Sequence, residues 1–238
     1  MIANCDGGFV RPGCWVPVNS ATGKMRCDTC LQQMKDNAAY VSDMLIQHTQ
    51  QLHERGWIPK DYHKYTFSNS DPVIAQSDAY KKTKPINVGR YNVFIYGDHG
   101  TGKTYLARAV AMRALWFGFS IAEISGIDIY EKSLLKDWRK YYYVSLLVID
   151  DIDKMDKQKY GNPVINKLFQ LINERASMKK RTIITSNYPP KATQGKMSLR
   201  DYLLTYPSDN PTIVSAILDR LKPVKTIELT GESLRNEK

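Results

Sequence analysis

Gly97-Asp98-His99-Gly100-Thr101-Gly102-Lys103-Thr104 fits the pattern G-x-x-x-x-G-K-[ST], and the chemistry of that pattern is phosphate binding. Its glycines let backbone N–H groups turn inward around a β-phosphate. The lysine reaches the β- and γ-phosphates, and the hydroxyl after it ligates Mg²⁺. Gly97, Gly100, Thr101, Gly102, Lys103 and Thr104 are therefore the candidate ATP cradle. Further along, Val144–Ile149 is an almost wholly apolar run that ends in Asp150-Asp151. A buried parallel strand of this kind carries a carboxylate to the C-terminal edge of a sheet, beside the phosphate loop. Asp150 is then the candidate for the Mg²⁺ shell, and Asp151 for orienting and polarising an attacking water. A last apolar run, Arg181–Ser186, ends at Asn187, whose amide is a candidate hydrogen-bond partner for that water.

The elements that position these residues are legible from periodicity. Tyr91–Tyr96 is a short aromatic and β-branched run, read as a strand. Lys103–Trp116 carries apolar residues at Leu106, Val110, Ala111, Ala114 and Leu115, the spacing of a helix. Strand, loop, helix puts phosphate at a helix N-terminus. Phe119–Ile124, Val144–Ile149, Thr182–Ser186 and Val224–Leu229 read as four more strands, with helices expected over Ile127–Trp138 and Pro163–Ser177. The pattern predicts an α/β fold: a parallel five-stranded sheet with helices on both faces.

Composition bounds the rest. Of 238 residues, 42% are hydrophobic and 24% charged, ordinary values for a globular protein. No apolar run approaches the roughly 20 residues a membrane span needs, and the cysteine-bearing N-terminus lacks a secretory core. The expected setting is the cytoplasm, with no membrane partner. The formal charge is +10, split as +3 over residues 1–90 and +7 over 91–238. A basic excess on the nucleotide-binding half suggests a polyanion besides ATP, most simply nucleic acid. Solubilising surface charge is the bland alternative.

All four cysteines fall in the first 30 residues, with spacing C-x8-C-x12-C-x2-C. Cys27 and Cys30 form a metal knuckle, since two intervening residues let both thiolates reach one ion. In a reducing compartment such a cluster favours structural Zn²⁺ over disulfides, so Cys5, Cys14, Cys27 and Cys30 are the candidate ligands, with free thiols as the alternative. Behind them Thr29-x-x-Gln32 resembles a capping box. Leu31, Met34, Ala38, Val41, Leu45, His48 and Leu52 follow as a heptad-like seam running to Gly56, a helix stop. That seam packs either on the protein's own core or on a partner. Residues 1–56 are thus expected to form a small zinc-stapled, partner-docking helical module. Residues 57–90, with Pro59, Pro72, Pro85 and the basic Lys81, Lys82 and Lys84, read as a connector, and residues 91–238 as the ATPase domain.

From about residue 55 onward the chain resembles the AAA+ ATPases of the bacterial replicative helicase loader family, of DnaC and DnaI type, a group that includes the transposition ATPase IstB. The matching stretches are Gly56-Trp57-Ile58-Pro59 with Tyr62, the phosphate loop, Leu147–Asp151, Ile172–Arg175 leading into Thr182–Asn187, Leu218–Leu221 and Gly231–Arg235. The resemblance implies that Asn187 is the sensor 1 residue. It makes Arg220 an arginine finger reaching a neighbouring subunit's ATP, and Arg235 the sensor 2 residue. Two features depart from the family pattern. The usual Glu after the Walker B Asp is Asp151, one methylene shorter, and only 18 residues follow Arg220, too few for a full lid domain.

The resemblance implies an ATP-dependent loader of a hexameric replicative helicase onto single-stranded DNA, self-associating in the ATP state and using ATP, Mg²⁺ and Zn²⁺. An IstB-like ATPase acting with a transposase on target DNA is the alternative, and a small-molecule P-loop kinase is a third class. The terminal cysteine module favours the loader, because DnaI-type loaders carry an N-terminal zinc-bearing partner-binding domain. Candidate DNA contacts are Lys154, Lys157 and Lys159, and Lys179, Lys180 and Arg181; each cluster also reads as solvated surface. Tyr141, Tyr142 and Tyr143 suit base stacking or, before a buried strand, core packing.

Overall fold

The computed structural model describes residues 43–70, 72–192, 195–205, 210–222 and 224–231. The chain divides into two compact units, residues 1–50 and 51–238. In the first, the described residues 43–50 are helical. Cys5, Cys14, Cys27 and Cys30, the pair Thr29 and Gln32, and the seam from Leu31 to Val41 lie outside the described residues. The second unit opens with helical residues 51–54. Gly56 ends that run at φ 66°: its N–H bonds His53 O at 2.7 Å while Trp57 N–H bonds Leu52 O at 2.9 Å. This Schellman pairing needs a left-handed residue, which is why glycine serves there.

The second unit is built on strands β1 (Asn92–Gly97), β2 (Ile121–Ser125), β3 (Leu146–Asp150), β4 (Arg181–Ser186) and β5 (Val224–Leu229). They lie in the order β2-β3-β4-β1-β5, and every neighbouring pair is parallel. Three long helices fill the crossovers: α1 (Lys103–Trp116), α2 (Asn162–Ser177) and α3 (Pro211–Arg220). Strand side chains alternate between faces. Phe94, Leu147, Ile149 and Ile184 join one core with Val164, Leu168, Leu171 and Ile172 of α2 and Val214 and Ile217 of α3. Their neighbours Val93, Ile95, Leu146, Val148 and Ile183, also buried, point to the opposite face, where α1 packs on β1, β3 and β4. Continuous apolar strands follow from burial on both faces. The expected parallel five-stranded α/β fold is the observed one.

Three local expectations differ. β3 begins at Leu146 rather than Val144, because Val144 N–H still bonds Lys140 O at 3.2 Å as the last turn of a short helix. The helix expected over Ile127–Trp138 is broken into Ile129–Ser133, a turn, and two further short turns. There the Ser133 hydroxyl donates to Tyr130 O at 2.6 Å, and Leu135 turns extended at ψ 150°. Residues 57–90 are not a free connector but fold onto the second unit. Glu123 N–H bonds Trp57 O at 2.8 Å, Tyr105 Oη donates to Thr66 O at 2.8 Å, and Arg113 donates to Ile86 O at 2.6 Å. Ile58 and Tyr62 are buried. This covering explains why α1 is buried nearly all round and rich in alanine.

Among the described residues Arg175 is the largest wholly buried side chain. It donates to Tyr141 O (2.7 Å), Val144 O (3.0 Å) and Thr182 Oγ1 (3.1 Å), and also to Arg181 O. Burial pushes its guanidinium pKa down, and carbonyl dipoles rather than a carboxylate surround the charge.

Candidate nucleotide-binding and hydrolysis site

β1 ends in Gly97 at φ 150°, where a Cβ would stand 2.1 Å from Leu229 O of β5. The close approach of β5, and not only the turn, therefore requires glycine. Gly100 (φ 80°) and Gly102 (φ 93°) take left-handed conformations, wrapping the loop back to the start of α1. Gly102 caps α1 with no side-chain hydrogen bond, so the first-turn N–H groups face the loop without a side-chain acceptor. That terminus suits an anion. Thr101 Oγ1 donates to Asp98 O at 2.9 Å and stiffens the loop. Lys103 is buried, and its ammonium donates to Gly97 O (3.0 Å) and Asp98 O (2.7 Å). Burial holds its pKa down, while the carboxylates of Asp151, Asp153, Asp150 and Asp98 pull the other way.

β3 and β4 bring the acids to the same edge. Thr104 Oγ1 donates to both Asp150 oxygens, at 3.0 and 3.1 Å. A hydroxyl and a carboxylate side by side, all oxygen, match what Mg²⁺ takes. Asp150 also accepts from Thr185 Oγ1 at 2.6 Å, and that same hydroxyl accepts from Asp151 N–H at 2.7 Å. Asp151 itself sits left-handed at φ 49°, ψ 57°, a conformation unfavourable for a residue with a Cβ and frequent at functional sites. Its carboxylate pairs with Lys154 Nζ at 2.5 Å. Asn187 N–H bonds Asp153 Oδ1 at 2.9 Å, and its side-chain Nδ2 bonds Asp153 Oδ2 at 2.5 Å.

The structure thus brings Gly97, Gly100, Thr101, Gly102, Lys103, Thr104, Asp150, Asp151 and Asn187 to one sheet edge. Arg220 is elsewhere. It ends α3, just before Leu221, whose carbonyl accepts from Asn92 Nδ2 at the first residue of β1 (2.5 Å). That is the edge opposite the phosphate loop. Arg220 donates through Nε to Asn173 Oδ1 at 2.6 Å and lies 5.0 Å from the Phe169 ring centre. It cannot serve its own chain's site. Arg235 and the four cysteines lie outside the described residues. Among the described residues no group of three His, Cys, Asp or Glu is placed to hold a metal, and no helix is long and apolar enough to cross a membrane.

The surface candidates divide. Lys157 is corrected: it is buried, and its ammonium caps a short helix through Tyr202 O (3.2 Å) and Leu203 O (2.9 Å), so it is not a DNA contact. Lys154 and Lys159 are exposed and pair with Asp151 and Glu131. Lys179 is exposed; with Lys180 and Arg181 it leads into β4, at the edge opposite the phosphate loop. Tyr141 packs in the core, Tyr142 accepts from Trp138 Nε1 at 2.8 Å, and Tyr143 is exposed. Sequence reasoning missed Thr185 and Asp153, which carry no motif. It also missed Gly126, where a Cβ would meet Asp151 O at 2.2 Å.

A glycine loop closing on a helix start, with a hydroxyl–carboxylate pair at the neighbouring strand end, defines a P-loop nucleotide-binding α/β domain. Residues 93–201 match the model of the ATPase family associated with various cellular activities (AAA). Over that segment the chain is similar to that family. It is 31% identical over 146 residues to the chromosomal replication initiator protein DnaA of Buchnera aphidicola, covering 55% of this chain and 31% of that one. It spans about a third of the length of the curated relatives it matches. Its fold is similar to that of AMPPCP-bound DnaA from Aquifex aeolicus, with TM-score 0.51 and 25% identity, covering 71% of this chain and 50% of that one. It is similar in fold also to the DnaC helicase loader, with TM-score 0.51 and 18% identity, covering 72% and 99%.

Proposed function

We propose that this protein is a replication ATPase that loads a hexameric replicative helicase onto single-stranded DNA in the cytoplasm. The observation that carries this reading is the separation of Arg220 from the phosphate loop by the whole length of the sheet. Such a site is incomplete without a second subunit, which makes hydrolysis an event of assembly. The fold likeness to the DnaC helicase loader and to a DnaA bound to AMPPCP and single-stranded DNA supports the choice of task.

In this reading the α1 N-terminus and the loop amides hold the β-phosphate, and Lys103 leaves the Gly97 and Asp98 carbonyls for the β- and γ-phosphates. Thr104 and Asp150 would hold Mg²⁺, which would neutralise charge building on the phosphate oxygens. Asp151 polarises the attacking water once its carboxylate parts from Lys154, and Asn187 helps to orient that water. Arg220 of the neighbouring subunit meets the γ-phosphate, with Arg235 as sensor 2. Residues 1–56 would dock the helicase, stapled by Zn²⁺ on Cys5, Cys14, Cys27 and Cys30. Single-stranded DNA would take Lys154, Lys159 and the Lys179–Arg181 group.

The test is helicase loading onto circular single-stranded DNA with ATP and the full chain. ATP-dependent capture of the helicase on the circle is expected. ATP hydrolysis stimulated by a transposase, with no helicase binding, would replace this reading by the transposition one.

A further inference from the structure

Asp153 is hydrogen-bonded to Asn187. It lies in the turn Ile152–Lys154 that follows Asp151, and its carboxylate takes two hydrogen bonds from one residue: Asn187 N–H at 2.9 Å and Asn187 Nδ2 at 2.5 Å. A carboxylate only accepts. The amide nitrogen of Asn187 must therefore face Asp153, and its Oδ1 must face away. That Oδ1 is buried and has no hydrogen-bond partner among the described residues. Buried acceptors are ordinarily satisfied, and an orphan in a site needs an explanation. Asp153 also lies within electrostatic reach of the Lys103 ammonium, so the clamp belongs to the nucleotide end of the sheet.

We propose that Asp153 is a positioning residue: it fixes the Asn187 amide so that Oδ1 accepts a hydrogen bond from the water that attacks the γ-phosphate. The inference rests on the ATPase reading above. Phosphate oxygens are acceptors and gain nothing from Oδ1, whereas a water can donate to it. In the step, the water oxygen bonds to the γ-phosphorus and the bond to the bridging oxygen breaks. ADP leaves with that electron pair, and the water's proton ends on the released phosphate. Asp153 takes no part in bond making. It sets which end of the Asn187 amide the water meets.

The variant D153N tests this, because it keeps size and shape while reversing one end of the clamp. Its own NH₂ would face the Asn187 nitrogen, so the Asn187 amide must turn over and present nitrogen to the water. Steady-state hydrolysis of Mg²⁺-ATP by the full chain should fall on the order of 10²-fold in kcat, as for a misplaced reactant, with ATP affinity and melting temperature unchanged. N187A should be as slow, and D153N in the N187A background should be no slower, since the two act as a unit. Wild-type kcat in D153N overturns the proposal, as does an equal fall in both backgrounds. Wild-type kcat in N187A overturns the Asn187 role and the clamp with it, while a wild-type chain that hydrolyses no ATP overturns the underlying ATPase reading. If D153N does not fold, the wild-type Asn187 side-chain NH₂ decides by NMR: slow exchange and a shifted resonance support the clamp, and a freely exchanging pair overturns it.

Discussion

Removing Arg220 should leave each subunit folded and able to bind ATP, yet disable the assembly. The side chain is half-buried, with hydrogen bonds to Asn173 Oδ1 at 2.6 Å and Ala216 O at 3.2 Å and a stack on Phe169. R220A should therefore lose about 1–2 kcal/mol of stability, which a domain of this size tolerates. ATP affinity should not move, because the phosphate loop is at the other end of β1. Hydrolysis stimulated by assembly should fall by about 10³-fold or more, the usual worth of a trans arginine. K103A should be equally inactive for the opposite reason. Mixed one to one, the K103A subunit lends its Arg220 to the intact loop of R220A. In a head-to-tail assembly about a quarter of the interfaces then hold both groups, and turnover should return to about a quarter of the wild-type rate. The assay is phosphate release over a titration of one variant into the other, with single-stranded DNA and helicase present. A mixture no faster than its parents refutes the trans role, and so does an R220A chain with full turnover.

Alone, K103A should abolish ATP binding, since the one buried ammonium of the loop is lost; micromolar affinity by calorimetry would disprove the site. G126A should push a Cβ into Asp151 O, now 2.2 Å away, and lower kcat by about 10²-fold through misplacement of Asp151 at near-normal ATP affinity, read from paired binding and turnover measurements. R175M should cost about 2–5 kcal/mol, because the Tyr141, Val144 and Arg181 carbonyls lose their donor in the core; an unchanged denaturation midpoint would show those carbonyls to be satisfied otherwise. Metal analysis of the full chain should find about one Zn²⁺ with sulfur ligands, and deletion of residues 1–56 should keep ATP binding while ending helicase binding, as measured by co-sedimentation.

The phosphate loop, Asp150 and the five strands were legible in the amino-acid sequence, because each rests on local physics. Glycine spacing dictates where the backbone turns, and a short unbroken apolar, β-branched run such as Leu146–Ile149, too short for a helix, fits a strand buried on both faces. The breaking of Ile127–Trp138 was not legible, since its period suits a helix and only the Ser133 hydroxyl and the burial of Trp138 and Tyr141 end it. Lys157 looked like part of a basic surface run, and nothing local shows that its ammonium closes the end of Leu199–Leu203, 45 residues away. The connector reading of 57–90 failed similarly: its few apolar residues cover α1, and their partners are distant in the chain.

Chemistry by residue type was thus set by sequence alone: a loop that turns around phosphate, a lysine, a hydroxyl and two acids in order. Tertiary structure decided the rest. It made Gly97 obligatory through β5 and Gly126 through Asp151, tied Thr185 to both acids, turned Asn187 onto Asp153, and carried Arg220 to the far edge of the sheet. These are contacts between segments distant in the chain, fixed only when the parallel strands come into register. Periodicity records which face of an element is buried, but not what it will meet there.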